Sequence, residues 1–296
     1  MIFSELNSFF SLAGKAKNIF SPKKEKEEES VASRFYQIFE SHGVHRNQIP
    51  RFFGHELLIS DVQNEETLLP KLDESILQAV CEKFAIRREW LDGAEDEIYP
   101  LRHFYKKPDE FVRFIEDIKD KNPDSHLEGV LVSTDSKLDT GEAFIALEEH
   151  IGWIEDRPIY RTHFCPGWPM PYWKARGYLT ACIASAWKRN VYIRGAKVSS
   201  AKVNKYSEGK EFICWSMSRY GIDETSFFGK RWHPEEMAEK VSTYLEGVDE
   251  GKFGKAAALG LWMDLYKTGM MDTGYGLAAD IAGEFQKELN KYHGML

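Results

Sequence analysis

Between residues 31 and 99 the apolar positions recur at helical spacing, and glycines punctuate them. The run VASRFYQIFESHG places Val31, Phe35, Ile38 and Phe39 on one face and ends at Gly43, the residue type best suited to the left-handed turn after a helix. VHRNQIPRFFG repeats the arrangement on a shorter scale and closes at Gly54. HELLISDVQNEE predicts a third helix. LDESILQAVCEKF predicts a fourth, with Leu72, Ile76, Ala79, Val80 and Phe84 along one side. AIRREWLDG completes the set around Trp90 and Leu91 and ends at Gly93. The pattern predicts an all-α, five-helix unit over 31–100.

Beyond residue 100 the period changes. PDEFVRFIEDIKDKNP predicts one helix, with Pro108 near its start, acidic residues in its first turn and Pro123 past its end. GVLVS (129–133) predicts a strand, as do 142–154 and 157–164, which a tight Glu155-Asp156 turn joins. CPGWPMP is expected to be an extended loop. Residues 172–189 predict a helix striped by Ala175, Leu179, Cys182, Ile183 and Ala186. NVYIRGAKVSSAKV and KEFICWSMS predict two more strands, so the order α-β-β-β-α-β-β describes an α+β domain around an antiparallel sheet over 101–230. Residues 231–296 return to helical patterning, in HPEEMAEKVSTYLEGV, KAAALGLWMDLYKTG and LAADIAGEFQKELNKY, a segment expected to dimerise. At the opposite end, Ile2, Phe3, Leu6, Phe9, Phe10, Ile19 and Phe20 suggest an amphipathic arm, and PKKEKEEES a solvated linker, over 1–30. The fold class that results is α+β multidomain: an N-terminal all-α domain, a central antiparallel-sheet domain resembling small ligand sensors, and a helical C-terminal segment.

Composition narrows the function classes. The chain has 296 residues, 43% of them hydrophobic, enough for a real core. It lacks the run of about 18 apolar residues that crosses a bilayer, and no signal peptide is evident. Cys81, Cys165, Cys182 and Cys214 stand far apart with no CxxC pair, which fits a reducing cytoplasm and argues against a zinc finger or a disulfide scaffold. The net charge of −8 argues against nucleic acid when taken whole. By segment, however, residues 31–100 carry −6, 101–230 carry +2 and 231–296 carry −4. Between Asp156 and Glu208 there is no acidic residue but ten Lys or Arg, interleaved with Tyr160, Trp168, Tyr172, Trp173, Tyr178, Trp187, Tyr192 and Tyr206. From this stretch Arg157, Arg161, Lys174, Arg176, Arg194 and Lys197 are candidate contacts for an anionic ligand or a protein partner, against the plainer reading of a solvated basic face.

Enzyme motifs are missing: there is no P-loop, GxGxxG, GxSxG or HExxH. His163 and Cys165 lack nearby partners for a metal site. Glu148, Glu149 and His150 form a polar cluster, but the strand period sends neighbours to opposite faces. Cys182 sits on an apolar helix face and is expected to pack as a small hydrophobe. No catalytic residue, cofactor or metal is predicted.

Gly43, Val44, Ile49, Phe53 and Gly54, followed at the far end by Ala85-Ile86 and Trp90-Leu91-Asp92-Gly93, carry a family pattern. Over residues 31–99 the chain resembles the Cro/C1-type (XRE) helix-turn-helix regulators of prokaryotes. The resemblance implies that 56–63 is a recognition helix entering the major groove of duplex DNA, with paired modules on an operator. The residues it places at such an interface are Arg46, Gln48 and Arg51 on phosphates or nearby, and Ser60, Gln63 and Asn64 toward base edges. The chain departs from the family where DNA is read. Pro50 stands where the family has a small alanine, and 56–63 holds Glu56 and Asp61 but no Lys or Arg. The leading expectation is a cytoplasmic, dimeric transcriptional regulator with a sensor region. The alternative is an interaction or adaptor protein whose helix-turn-helix fold no longer reads DNA, and an enzyme built on the 143–215 sheet is a third reading.

Overall fold

A computed structural model describes residues 29–134, 142–213, 230–275 and 280–292. Most of the arm expected over 1–30 lies outside these residues. The first helix, α1 (Val31–Ser41), buries Phe35, Tyr36, Ile38 and Phe39 and ends at Gly43, whose φ of 78° is the left-handed conformation expected there. A 3-10 turn (Arg46–Gln48) leads into α2 (Ile49–Phe53). Helix α4 (Glu74–Phe84) begins where the Asp73 carboxylate accepts the Ile76 N–H, and α5 (Arg88–Leu91) buries Trp90 and Leu91.

The predicted third helix does not form. Gly54, His55 and Glu56 have φ of 79°, 55° and 59°, three successive left-handed residues that no right-handed helix accommodates. The chain runs on in turns, with the Asp61 carboxylate accepting the Leu58 N–H and the Gln63 amide donating to the Ile59 carbonyl. Only the short helix α3 (Glu65–Leu68) follows, capped by Asn64.

Helix α6 (Pro108–Lys121) precedes β1 (Leu127–Thr134), β2 (Glu142–Ile154) and β3 (Arg157–Pro169), which pair antiparallel in succession. Strand β3 continues through residues expected to form the proline-rich loop. Helix α7 (Trp173–Trp187) crosses over to β4 (Ile193–Val198), and β5 (Lys230–Trp232) completes the sheet in the order β3-β2-β1-β4-β5. The sheet is mixed rather than antiparallel, because α7 returns the chain so that β4 runs parallel beside β1. The expected strand 190–203 ends early, and α8 (Ser200–Ser207) takes up its second half. Residues 210–213 form no strand, and the rest of KEFICWSMS lies outside the described residues.

In the C-terminal region one expected helix is split into α9 (Glu236–Glu239) and α10 (Val241–Leu245) by extended backbone at Lys240. Then come α11 (Gly251–Lys267) and α12 (Ile281–Asn290). None of the described helices is long and apolar enough to cross a membrane.

Strand alternation divides the core in two. Val130, Val132, Phe144, Ala146, Phe164, Ala196 and Val198 face the 31–99 helices and share one continuous core with them. Leu131, Ile145, Leu147, Cys165 and Ile193 point the other way, against α6, α7 and the C-terminal helices. The sheet is therefore the middle of three layers, and β1 is buried along almost its whole length, Glu128 included, because both of its faces are covered. Helix α7 is buried almost all round instead of along one stripe, since it lies between the sheet and α11.

Candidate functional site

The residues expected to face DNA are mostly engaged within the helical module. The Arg46 guanidinium lies 2.6 Å from Glu40 and stacks over Tyr36 at 4.0 Å. The Gln48 side chain accepts the His45 N–H, and Arg51 is 3.6 Å from Glu155. Gln63 donates to Asn47 and to the Ile59 carbonyl, while Asn64 caps α3 by accepting the Thr67 N–H. Ser60 is exposed on the turn. Among its exposed polar residues the 55–69 segment also presents apolar ones outward: Leu58, Ile59 and Leu69 are each more than half exposed, at 62%, 58% and 53%.

The six cations proposed for an anion do not converge. Arg157 donates to the Gly43 carbonyl and ties β3 to the end of α1. Lys174 lies over Trp173 at 4.9 Å. Arg176 is buried, donating to the Met170, Thr243 and Glu246 carbonyls, and burial pulls its pKa down to about 10. Arg194 sits on the opposite sheet face from Arg161, 3.8 Å from Glu128, and Lys197 lies 3.7 Å from Glu246.

Arg161 lines a cleft, and the structure gives it partners that sequence patterning did not assemble. Glu149 of β2 pairs in register with Arg161 of β3, and His163 is its diagonal neighbour on the same face. Two guanidinium nitrogens of Arg161 reach the Glu149 oxygens at 2.7 Å each, the bidentate geometry suited to a carboxylate. His163 Nε2 lies 2.7 Å from Glu149 Oε2, and Asn122, just past α6, donates at 3.2 Å. Burial pushes the Glu149 pKa up, but the hydrogen bonds from His163 and Arg161, the guanidinium charge and Asn122 outweigh it and hold the carboxyl down at about 2. Burial also lowers His163, against the pull of Glu149. An ionised carboxylate only accepts, so the neutral His163 carries its proton on Nε2. Glu148, the adjacent residue, points to the other sheet face, as the strand period predicts.

Arg161 and His163 form part of a cleft of about 640 Å³, walled on one side by the end of α4 and the 85–88 turn, and on the other by α6. Ile86, Phe114 and Ile118 supply apolar wall, and Arg102 and Lys121 stand at it as exposed cations. A second cleft of about 560 Å³ adjoins it across Arg102, Phe114 and Asp117, and is lined by Glu110, Glu116 and Asp120. The thiols nearby are unreactive in type: burial raises the Cys81 pKa to about 12 and Cys165 higher still. Among the described residues no group of three or more His, Cys, Asp or Glu side chains is arranged to hold a metal. Arg102, Lys121 and Asn122 carried no motif. Only the alternation on β3, which sets Arg161 and His163 on one face, hinted at the site.

No family model matches the chain, and no curated protein or solved structure matches it either.

Proposed function

We propose that this chain is a regulatory protein whose helical module, though it resembles the XRE helix-turn-helix, serves as an interaction platform rather than as a reader of operator DNA. The observation that carries this reading is the backbone of 54–63. Three left-handed residues and two side-chain-stabilised turns stand where a recognition helix would enter the major groove. Of the polar side chains that would read base edges, Gln63 and Asn64 are spent on their own turn and cap, while Leu58 and Ile59 face outward beside the exposed Ser60. The charge of −6 over 31–100 points the same way, since a protein bound to duplex DNA gains most of its non-specific affinity by replacing phosphate counterions.

Operator binding remains the second reading, favoured by the exposed cations Arg46 and Arg51 at α2. A salt-titrated binding assay on random duplex DNA, with wild type and Arg46→Glu/Arg51→Glu, separates the two. The platform reading expects no duplex binding by either protein even at low salt. Wild-type binding that weakens steeply with salt and is lost in the double variant overturns it in favour of operator binding.

A further inference from the structure

We propose that the cleft over Arg161 and His163 binds a small organic anion, a carboxylate or phosphate carried on an apolar or aromatic body. The volume of about 640 Å³ is that of a metabolite-sized site. Four cations line it, Arg88, Arg102, Lys121 and Arg161, against two acids, Glu82 and Asp117. The four cations differ in what they can still do. Arg88 is committed to Glu74 and Asp92, and Arg161 to Glu149 and the Glu82 carbonyl. Arg102 and Lys121 make no ion pair among the described residues, so neither charge is committed to a carboxylate of the protein, and both stand at the lining of the cleft. The neighbouring cleft has the opposite balance, four acids (Glu110, Glu116, Asp117 and Asp120) against Arg102 and Arg113, which favours the Arg161 side for an anion.

The apolar half of the ligand follows from Phe114. Its ring lies 5.2 Å from the Arg102 guanidinium and meets His163 edge-on at 5.4 Å, so it forms a wall between cation and imidazole. Ile86 and Ile118 extend that wall. Beneath it, Glu149 and His163 are buried, at 0% and 10% side-chain exposure, and Arg161 reaches the cleft partly exposed at 23%. Burying such a network costs more than an apolar floor would, yet this one holds a polar imidazole in a fixed orientation at the base of a cleft. That is the arrangement of a recognition site.

The test is titration calorimetry of the full chain with phenyl phosphate, benzoate and inorganic phosphate, at ionic strength matched with sodium chloride. Saturable binding of phenyl phosphate or benzoate is expected, and the tighter of the two identifies the anion as phosphate or carboxylate. Inorganic phosphate should bind at least about tenfold more weakly than the aromatic anion. Arg102→Glu/Lys121→Glu alters two exposed side chains, so the fold should persist by circular dichroism while affinity falls at least about tenfold. Phe114→Leu should narrow the gap between phenyl phosphate and inorganic phosphate. The proposal is overturned if neither aromatic anion binds saturably, if the double variant binds like wild type, or if inorganic phosphate binds as tightly as phenyl phosphate.

Discussion

Arg161 and Arg176 come from the same acid-free stretch, Arg161 partly and Arg176 almost wholly withdrawn from solvent, but the fold satisfies them in different ways. Arg161 meets a buried carboxylate in bidentate geometry, with His163 and Asn122 completing the set. Arg176, at the first turn of α7, has carbonyl oxygens and the Met237 sulfur as hydrogen-bond acceptors, with no carboxylate among them. One guanidinium is neutralised beside a cleft. The other remains a net charge in the interior and clamps Met170, Thr243 and Glu246 together, joining the sheet layer to the C-terminal helices. A basic run in sequence therefore says where cations are, not which of them can meet a ligand.

The sharpest break in this comparison is Glu149→Ala. It leaves the buried His163 and the partly exposed Arg161 without their common acceptor. Since Arg161 keeps some access to water, the cost should lie at the lower end, about 3 kcal/mol, of that for breaking a buried pair. Chemical denaturation should show that loss. Adding Arg161→Ala to it should cost less than Arg161→Ala does alone. A Glu149→Ala loss below about 1 kcal/mol would mean that the Glu82 carbonyl, not Glu149, holds Arg161. The same carboxylate sets an acid limit. Its folded pKa of about 2 lies below the ordinary 4.5, so the unfolded state binds its proton more readily. The stabilisation is complete above about pH 4.5 and is lost as pH falls toward 2; the variant should lack that segment of the profile.

Arg176→Met comes next. Methionine fills much of the volume but leaves the carbonyls without donors, each net hydrogen bond being worth about 0.5–1.5 kcal/mol. A loss of about 2–3 kcal/mol is expected. Removing the buried charge offsets part of it, which is why the effect should fall short of that of Glu149→Ala. Equal losses would show that a carbonyl cage holds a guanidinium as firmly as a carboxylate does.

How much of this was legible in sequence depends on what each feature rests on. The helices around Phe35–Phe39 and Ile76–Phe84, helix α7, and strands β1, β2 and the first part of β3 follow from apolar spacing and end signals that are local, whereas β5 and the far end of β3 gave no such signal. The Glu149 site is not local. A two-residue turn at Glu155-Asp156 pairs Ile154 with Arg157, and counting back from it would set Glu149 opposite Thr162. The bulge between His150 and Gly152 shifts the register by one and brings Glu149 opposite Arg161 instead. Alternation alone could not reveal that single inserted residue. The missing third helix turns on the conformations of His55 and Glu56: histidine is only modestly enriched at positive φ and glutamate gives no warning of it. The parallel pairing of β4 with β1 depends on which side of the sheet α7 crosses, a choice made by long-range burial.

Arg194 supplies the smallest expected effect and the control for Arg161 and Arg176. It belongs to the same basic stretch, but its side chain is 68% exposed and its nearest carboxylate oxygen, on Glu128, is 3.8 Å away. At that exposure water and salt screen the attraction, and such pairs are worth about 0–1 kcal/mol. Arg194→Ala should therefore shift the denaturation midpoint by an amount that falls within this range and shrinks further in high salt. A loss approaching that of Arg176→Met would show that Glu128, 5% exposed at the side chain, relies on Arg194 as Glu149 relies on Arg161. The sheet would then carry a buried carboxylate–guanidinium pair on each face, and the contrast drawn between Arg161 and the rest of the basic stretch would fail.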